Sequence, residues 1–312
     1  MKSDRIKKVL LRIDEGVRLI DQHRPLPGAV LGRLREHLVL DWTYNSNAIE
    51  GNTLTLRETR LVIEDGLTVG GKSMREHLEA INHRDAITFV EQLAAGDEPL
   101  AERQIKEIHA LVLREIDRKY AGRYRDIQVR IGGSTHLPPE PLLVGEKMAE
   151  FAEKWRAEGG GLHPVVRAAL AHYELAAIHP FVDGNGRTAR LLMNLLLLRS
   201  GYPPGVILRN DRKKYYSALE KAGQGKTDDF VFLVARAVER TIFLYFEAIP
   251  ELAADFLTMT QATEITPYSQ DYLNILARRG AIPAFKLRRN WLVSKEALLR
   301  YVTEHRQKAT LE

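Results

Sequence analysis

The chain has 312 residues, a formal net charge of +5, 45% hydrophobic residues and 28% charged ones. That balance excludes a disordered chain and a membrane bundle, because the longest apolar run, Leu191 to Leu198, is interrupted by Asn194 and falls far short of the ~18–20 residues that span a bilayer. With no cysteines, disulfides, thiolate zinc sites and a cysteine nucleophile are excluded together.

At roughly 100–200 residues per domain the length suggests two domains or three. The segment after Met1 is dotted with charge and lacks the apolar core of a signal peptide, so a cytoplasmic location is expected. Periodicity is helical over most of the chain. Arg5 to Ile20 carries Ile6, Val9, Leu10, Ile13, Val17 and Ile20 on one stripe, and Pro25, Pro27 and Gly28 break it. Ala29 to Asp41 predicts a second helix leading into the polar patch Asn45-Ser46-Asn47. Leu56 to Glu64, Ser73 to Leu93 and Glu102 to Ile116 read as further helices. From Asp126 to Ile131 polar and apolar residues alternate, which predicts a half-buried strand; Gly132-Gly133 and Pro138, Pro139 and Pro141 follow, so a β-hairpin flap is expected. Helices return over Gly145 to Trp155, His163 to Ile178, the Leu-rich stretch, Arg212 to Lys221 and Asp228 to Phe246. Pro250 marks a boundary. There is no repeat at a period of about 20–50 residues and no low-complexity tract.

Charge is unevenly spread. Arg278 to Glu312 holds nine basic and three acidic residues, leaving 37 basic and 38 acidic residues in the rest of the chain. A local excess of that kind hints at a polyanionic partner.

The loop from His179 to Arg190 carries the most chemistry: His179-Pro180-Phe181-Val182-Asp183-Gly184-Asn185-Gly186-Arg187-Thr188-Ala189-Arg190. One helix ends before it, two glycines and an asparagine permit a tight turn, and a new helix begins. The N–H groups of a helix start attract an anion, and glycines let a phosphate approach. Arg187 and Arg190, three apart, share a helix face and offer planar forks to phosphate oxygens. Asp183 is a hard oxygen ligand of the kind Mg²⁺ uses beside phosphates. His179, at the loop's edge, is placed to take a proton from a hydroxyl. A base, a metal ligand, an anion nest and two arginines together indicate phosphoryl or nucleotidyl transfer.

This stretch resembles the Fic-domain motif H-P-F-x-(D/E)-G-N-G-R-x-x-R at every fixed position. The resemblance spans roughly residues 40 to 245 and includes the lead-in helix from His163 and, as a flap, Arg123-Tyr124-Arg125, Gln128 to Gly133 and Pro138-Pro139. It implies a mainly α fold: a Fic-type helical bundle with a small β-hairpin flap. It implies transfer of AMP from ATP to a Ser, Thr or Tyr hydroxyl of a target protein. His179 would be the base, and Asp183 would hold Mg²⁺. Gly184, Asn185 and Gly186 would form the anion hole, and Arg187 and Arg190 would grip the outer phosphates. Phe181 would anchor the loop. Ile131 and Gly132 of the flap, with Tyr215 and Tyr216, would complete the nucleotide site, although one of the tyrosines reads equally well as core. Gly223 stands where the family often has asparagine, so one nucleotide contact is missing.

Ser46-Asn47-Ala48-Ile49-Glu50-Gly51 resembles the family's inhibitory motif (S/T)-x-x-x-E-(G/N). The resemblance implies that Glu50, with Ser46, occupies Arg190 and blocks the γ-phosphate. Residues 250–312 are similar to excisionase-like winged helix-turn-helix modules, with Arg288 and Arg289 in a basic turn. DNA and a protein partner stand open there. The expected division is a helical region carrying the inhibitory helix at 1–95, a Fic core at 96–249 and the helix-turn-helix-like segment at 250–312. Expected partners are a hydroxyl-bearing target protein, DNA at the basic segment and, as a further alternative, a second copy of the chain; no membrane is expected. Alternatives to AMP transfer are UMP, phosphate or phosphocholine transfer, removal of AMP, or a DNA-binding regulator with a nucleotide-sensing core. His77, His83 and His136 read as surface or core residues.

Overall fold

The computed structural model describes residues 2–156, 161–249, 251–252, 256–287 and 290–309. Pro250, Arg288 and Arg289 lie outside the described residues. The helices are α1 (Lys2–Gln22), α2 (Gly28–Glu50), α3 (Leu56–Ile63), α4 (Met74–Ala95), α5 (Glu102–Val112), α6 (Val144–Arg156), α7 (Pro164–Ile178), α8 (Asn185–Arg199), α9 (Arg212–Gly223), α10 (Asp228–Ala248), α11 (Met259–Ile265), α12 (Gln270–Arg279) and α13 (Lys295–Ala309). The strands are β1 (Phe256–Thr258), β2 (Ala284–Leu287) and β3 (Asn290–Ser294). The fold is mainly α, as the periodicity required. Among the described residues no helix is long and apolar enough to cross a membrane.

The chain forms two compact units, one of residues 35–238 and one of 1–34 with 239–312. In the first, α8 is the central helix and packs against α7, α4 and α5. The cause is visible in its residues: Leu191, Leu192, Met193, Leu195, Leu196 and Leu197 are all buried, so the helix is stable only when surrounded. Truncating one of these leucines to alanine costs about 2–5 kcal/mol. Capping boxes at Thr55/Glu58 and Ser73/Glu76 start α3 and α4.

Two local expectations are corrected. α2 does not stop near Asp41 but runs through Asn45-Ser46-Asn47 to Glu50. Asn45 Nδ2 donates to Asp41 O at 2.8 Å and Asn47 Nδ2 to Thr43 O at 3.1 Å, so these polar side chains bond back onto their own helix instead of ending it. The strand expected over 126–131 does not form, and neither does the β-hairpin flap. That segment is irregular, and side chains hold it: Arg125 donates to Ile127 O and Pro139 O, and Gln128 to Pro138 O. Its facing segment is rich in proline, which has no N–H for a ladder.

In the second unit β3 lies between β1 and β2, antiparallel to both, with Leu257 opposite Val293 and Ala284 opposite Val293. Met259, Leu273, Leu276, Ile282, Val293 and Leu298 form its core. Ser269 caps α12, and Gly280 closes it with φ 66°. Two short helices, a strand pair and a last helix make a helix-turn-helix with a wing. α1 belongs to the same unit through Arg12–Glu239 at 2.5 Å and Glu15–Arg300 at 2.7 Å.

Candidate active site

α7 closes on His179, whose φ of 51° and ψ of 56° lie in the left-handed region. That conformation is strained for a residue with a Cβ. The chain re-enters helix behind Gly184, with φ 76°, where a Cβ would lie 3.2 Å from Val112 Cγ1. Asn185 shapes the turn from within: its Oδ1 accepts from Phe181 N at 2.9 Å and its Nδ2 donates to Phe181 O at 2.8 Å. Phe181 is fully buried and stacks on His109 with ring centroids 3.6 Å apart, so it anchors the loop. His109 Nδ1 accepts from Gly122 N at 3.0 Å, and Nε2–H donates to Asp183 O at 2.9 Å.

The loop floors a cleft of about 320 Å³. His179, Asp183, Gly184, Asn185, Gly186, Arg187, Ile131, Gly132, Tyr215 and Tyr216 all line it, joined by Glu50. Gly223 borders it too, leaving open space near Tyr173. His136, read from sequence as a surface or core residue, lines the cleft and donates from Nε2 to Ala177 O at 2.9 Å. His77 and His83 are buried.

His179 Nδ1–H donates to Ala176 O at 3.2 Å, which leaves Nε2 as the acceptor. Burial lowers its pKa below the usual imidazole value; the Ala176 carbonyl works against that, and the Arg125 charge adds to it. The ring is therefore neutral at neutral pH. Burial raises Asp183, but the Arg187 charge, the Gly184 N–H at 2.6 Å and Arg75 at 2.5 Å outweigh it and hold the carboxyl below its ordinary range. Arg187 is buried, with Nη1 3.2 Å from Glu79 Oε1 and Nη2 3.5 Å from Asp183 Oδ1.

Arg190 is 2% exposed and sits behind Glu50. Nε donates to Ser46 Oγ at 2.9 Å, Nη2 to Ser46 O at 2.8 Å and to Glu50 Oε1 at 2.8 Å, and Nη1 to Tyr215 OH at 3.2 Å. Burial disfavours its charge, but Glu50 and Tyr215 outweigh that and raise its pKa. Tyr215 is buried and bonds His172 Nε2 at 3.1 Å, so it is core and cleft wall at once. Tyr216 reaches Glu50 Oε2 at 3.5 Å under the Arg212 guanidinium. The end of α2 is pinned from two sides: Asn52 Nδ2 donates to Glu76 O at 3.1 Å and Glu79 Oε2 at 2.9 Å, and Arg212 Nε to Ile49 O at 2.7 Å. Gly186 leaves room beneath it, since a Cβ there would press on Glu50 Oε1 and push that carboxylate aside.

A family model described as the Fic/DOC family matches residues 99–197. The solved structure of Fic-1 from C. elegans superposes with a TM-score of 0.71 at 35% identity, covering 79% of this chain and 72% of that one. The chain belongs to the Fic/DOC family. A Fic domain containing signaling protein from Bacteroides thetaiotaomicron is 30% identical with a TM-score of 0.68, covering 78% of this chain and 96% of that one. The protein adenylyltransferase Fic of Drosophila grimshawi is 41% identical over 226 residues, 72% of this chain and 46% of that protein. The chain spans about half the length of the curated relatives it matches. A helix-turn-helix domain model matches residues 256–306, in keeping with the second unit's helices and wing.

Three residues that complete this Fic site were not singled out in the sequence for the parts they play. His109 and Arg75 bind Asp183 from α5 and α4, and Arg125 binds His179 from before the flap. No spacing links these positions to the loop, and only packing brings them there.

Proposed function

We propose that the chain transfers AMP from ATP to a Ser, Thr or Tyr hydroxyl of a target protein, restrained by Glu50. The observation that carries this reading is a neutral His179 with Nε2 free, on the rim of a cleft floored by a glycine-rich helix start and its arginines. Curated relatives named protein adenylyltransferase support it.

In this reading His179 Nε2 takes the proton from the target hydroxyl, and the oxygen attacks the α-phosphorus. The bond from the α-phosphorus to the bridging oxygen breaks, and pyrophosphate leaves. The Gly184 to Gly186 helix start and Arg187 stabilise negative charge on the phosphates, and Arg190 joins them once Glu50 withdraws. Asp183 would hold Mg²⁺, whose octahedron is commonly filled by one or two carboxylates plus phosphate oxygens and waters; the half-exposed Asp183 carboxylate on the cleft wall suits that donor set. When bound, the ion supplies positive charge beside the phosphates. The cysteine-free composition suits a reducing compartment, and the cytoplasm is the location assigned.

The test is intact-mass analysis of Glu50→Gly incubated with Mg²⁺, mixed nucleotides and candidate targets. An AMP adduct that disappears on His179→Ala supports the reading. A UMP, phosphate or phosphocholine adduct, or no adduct on any protein, defeats it. For the second unit the proposal is DNA binding. Arg278 and Arg279 are exposed at the end of α12, where they can meet phosphates. Salt-sensitive retention of the full chain on random duplex DNA, weakened by Arg278→Ala with Arg279→Ala, supports this; no retention at low salt refutes it.

A further inference from the structure

Arg125 stands apart from the other arginines around the cleft. It is 2% exposed, yet among the described residues no carboxylate pairs with it. Its guanidinium instead meets three backbone carbonyls: Nε donates to His179 O at 2.9 Å, Nη1 to Ile127 O at 3.1 Å and Nη2 to Pro139 O at 2.5 Å. Its own N–H donates to Pro180 O at 2.9 Å. A buried cation without a counter-ion is costly, and such an arrangement persists only where many bonds determine it.

The three carbonyls belong to different pieces of the site. His179 and Pro180 open the catalytic loop. Ile127 and Pro139 stand at the two ends of the segment 127–139, which carries Ile131 and Gly132 to the cleft wall. That segment has no backbone ladder of its own, as the missing strand shows. Its far part is tied by Ser134 Oγ to Glu220 at 2.6 Å and by His136 to Ala177 O. At its base the guanidinium fork takes the place of a sheet. The same fork holds the left-handed His179 by its carbonyl, and its charge acts on that imidazole.

We propose that Arg125 is the positioning residue that locks the flap to the catalytic loop and fixes the backbone of His179. The proposal rests on the reading of His179 as the base. The groups facing His179 are the Ala176 carbonyl on its own helix, Arg125 before the flap, His136 in the flap and Glu50 on α2. Removing the Arg125 charge therefore moves the imidazole toward its ordinary proton affinity. A lysine at 125 keeps the charge, but a single ammonium cannot span three carbonyls set in a fork.

The experiment uses the full chain with Glu50→Gly in every sample, so that Glu50 is constant. Arg125→Lys and Arg125→Met are each compared with that parent. Three quantities are read: the His179 titration by NMR of labelled imidazole, proteolytic nicking between residues 126 and 139, and kcat and KM for ATP in AMP transfer. In Arg125→Met the His179 titration rises. In Arg125→Lys it stays within a few tenths of the parent, while nicking rises at least tenfold and kcat falls at least tenfold, with KM for ATP changed less than threefold. If Arg125→Met does not fold, the lysine variant still decides the clamp. A lysine variant that matches the parent in nicking and kcat overturns the proposal, and so does an unmoved His179 titration in a folded methionine variant. If the parent transfers no AMP, the proposed function fails, while the titration and nicking still judge the clamp.

Discussion

Replacing Glu50 with glycine removes the one carboxylate that pairs with Arg190 among the described residues. The contact is 2.8 Å, with Arg190 2% exposed and the Glu50 side chain 32% exposed. A charge-assisted hydrogen bond contributes about 1.5–3 kcal/mol, and an edge open to water places this one near ~2 kcal/mol. At 1.4 kcal/mol per factor of ten, the fraction of molecules with Arg190 free for a phosphate rises about thirtyfold. Ser46 keeps two bonds to Arg190, so the release is not complete. The assay is self-modification with α-³²P-ATP and Mg²⁺, wild type beside Glu50→Gly and Glu50→Gln. Glycine should label about thirtyfold faster, and glutamine, which keeps the shape without the charge, should fall between. The same change leaves a buried guanidinium with neutral partners, so the apo variant should melt about 4–8 °C lower for ~2 kcal/mol. Saturating ATP should restore much of that. Equal labelling in all three proteins would falsify the brake.

Further outcomes are expected. His179→Ala in the released background should lose about 10²–10⁴-fold in transfer, with ATP affinity by calorimetry changed little; retained transfer would remove His179 as the base. Because burial lowers its pKa, the acid limb of kcat/KM should lie below pH 6.5 with a plateau above, and a limb centred above pH 7 would contradict the buried imidazole. His83 and His172 are buried and pushed well below the ordinary value, so the unfolded chain binds more protons than the folded one as pH falls past about 6.5. Each should cost about 1.4 kcal/mol at pH 5.5 and almost nothing at pH 7.5; equal urea midpoints at the two pH values would refute this. Asp183→Ala should abolish the gain in ATP affinity that Mg²⁺ provides, and a Mg²⁺ dependence equal to wild type would clear Asp183 of the role.

Much of the site was readable because its residues lie within one turn of chain. His179 to Arg190 is contiguous, so helix end, glycines and arginines fall together whatever the rest of the fold does. The Leu-rich stretch likewise announced a surrounded helix. The inhibitory pair Ser46 and Glu50 was legible through its motif, but the helix was expected to end too early. Local propensity counts three polar residues as a break, whereas back-bonding to Asp41 O and Thr43 O keeps the helix intact. The flap failed as a strand for the opposite reason. Its alternation was real, yet a strand needs a partner with N–H groups, and the facing segment is rich in proline.

The chain's own order of residues determined the anion-binding turn, the base beside it and the mainly helical class, since each depends on neighbours a few positions apart. Tertiary packing alone decided that Glu50 meets Arg190 across 140 positions of chain and that His109 and Arg125 hold the loop from α5 and from the chain just before the flap. It also decided that α1 joins the unit that carries the C-terminal helices. Those contacts join residues with no shared period or spacing. They exist because burying apolar helices around α8 brings distant backbone carbonyls and side-chain charges within hydrogen-bond reach, and charges as buried as Arg125 and Arg190 must be met.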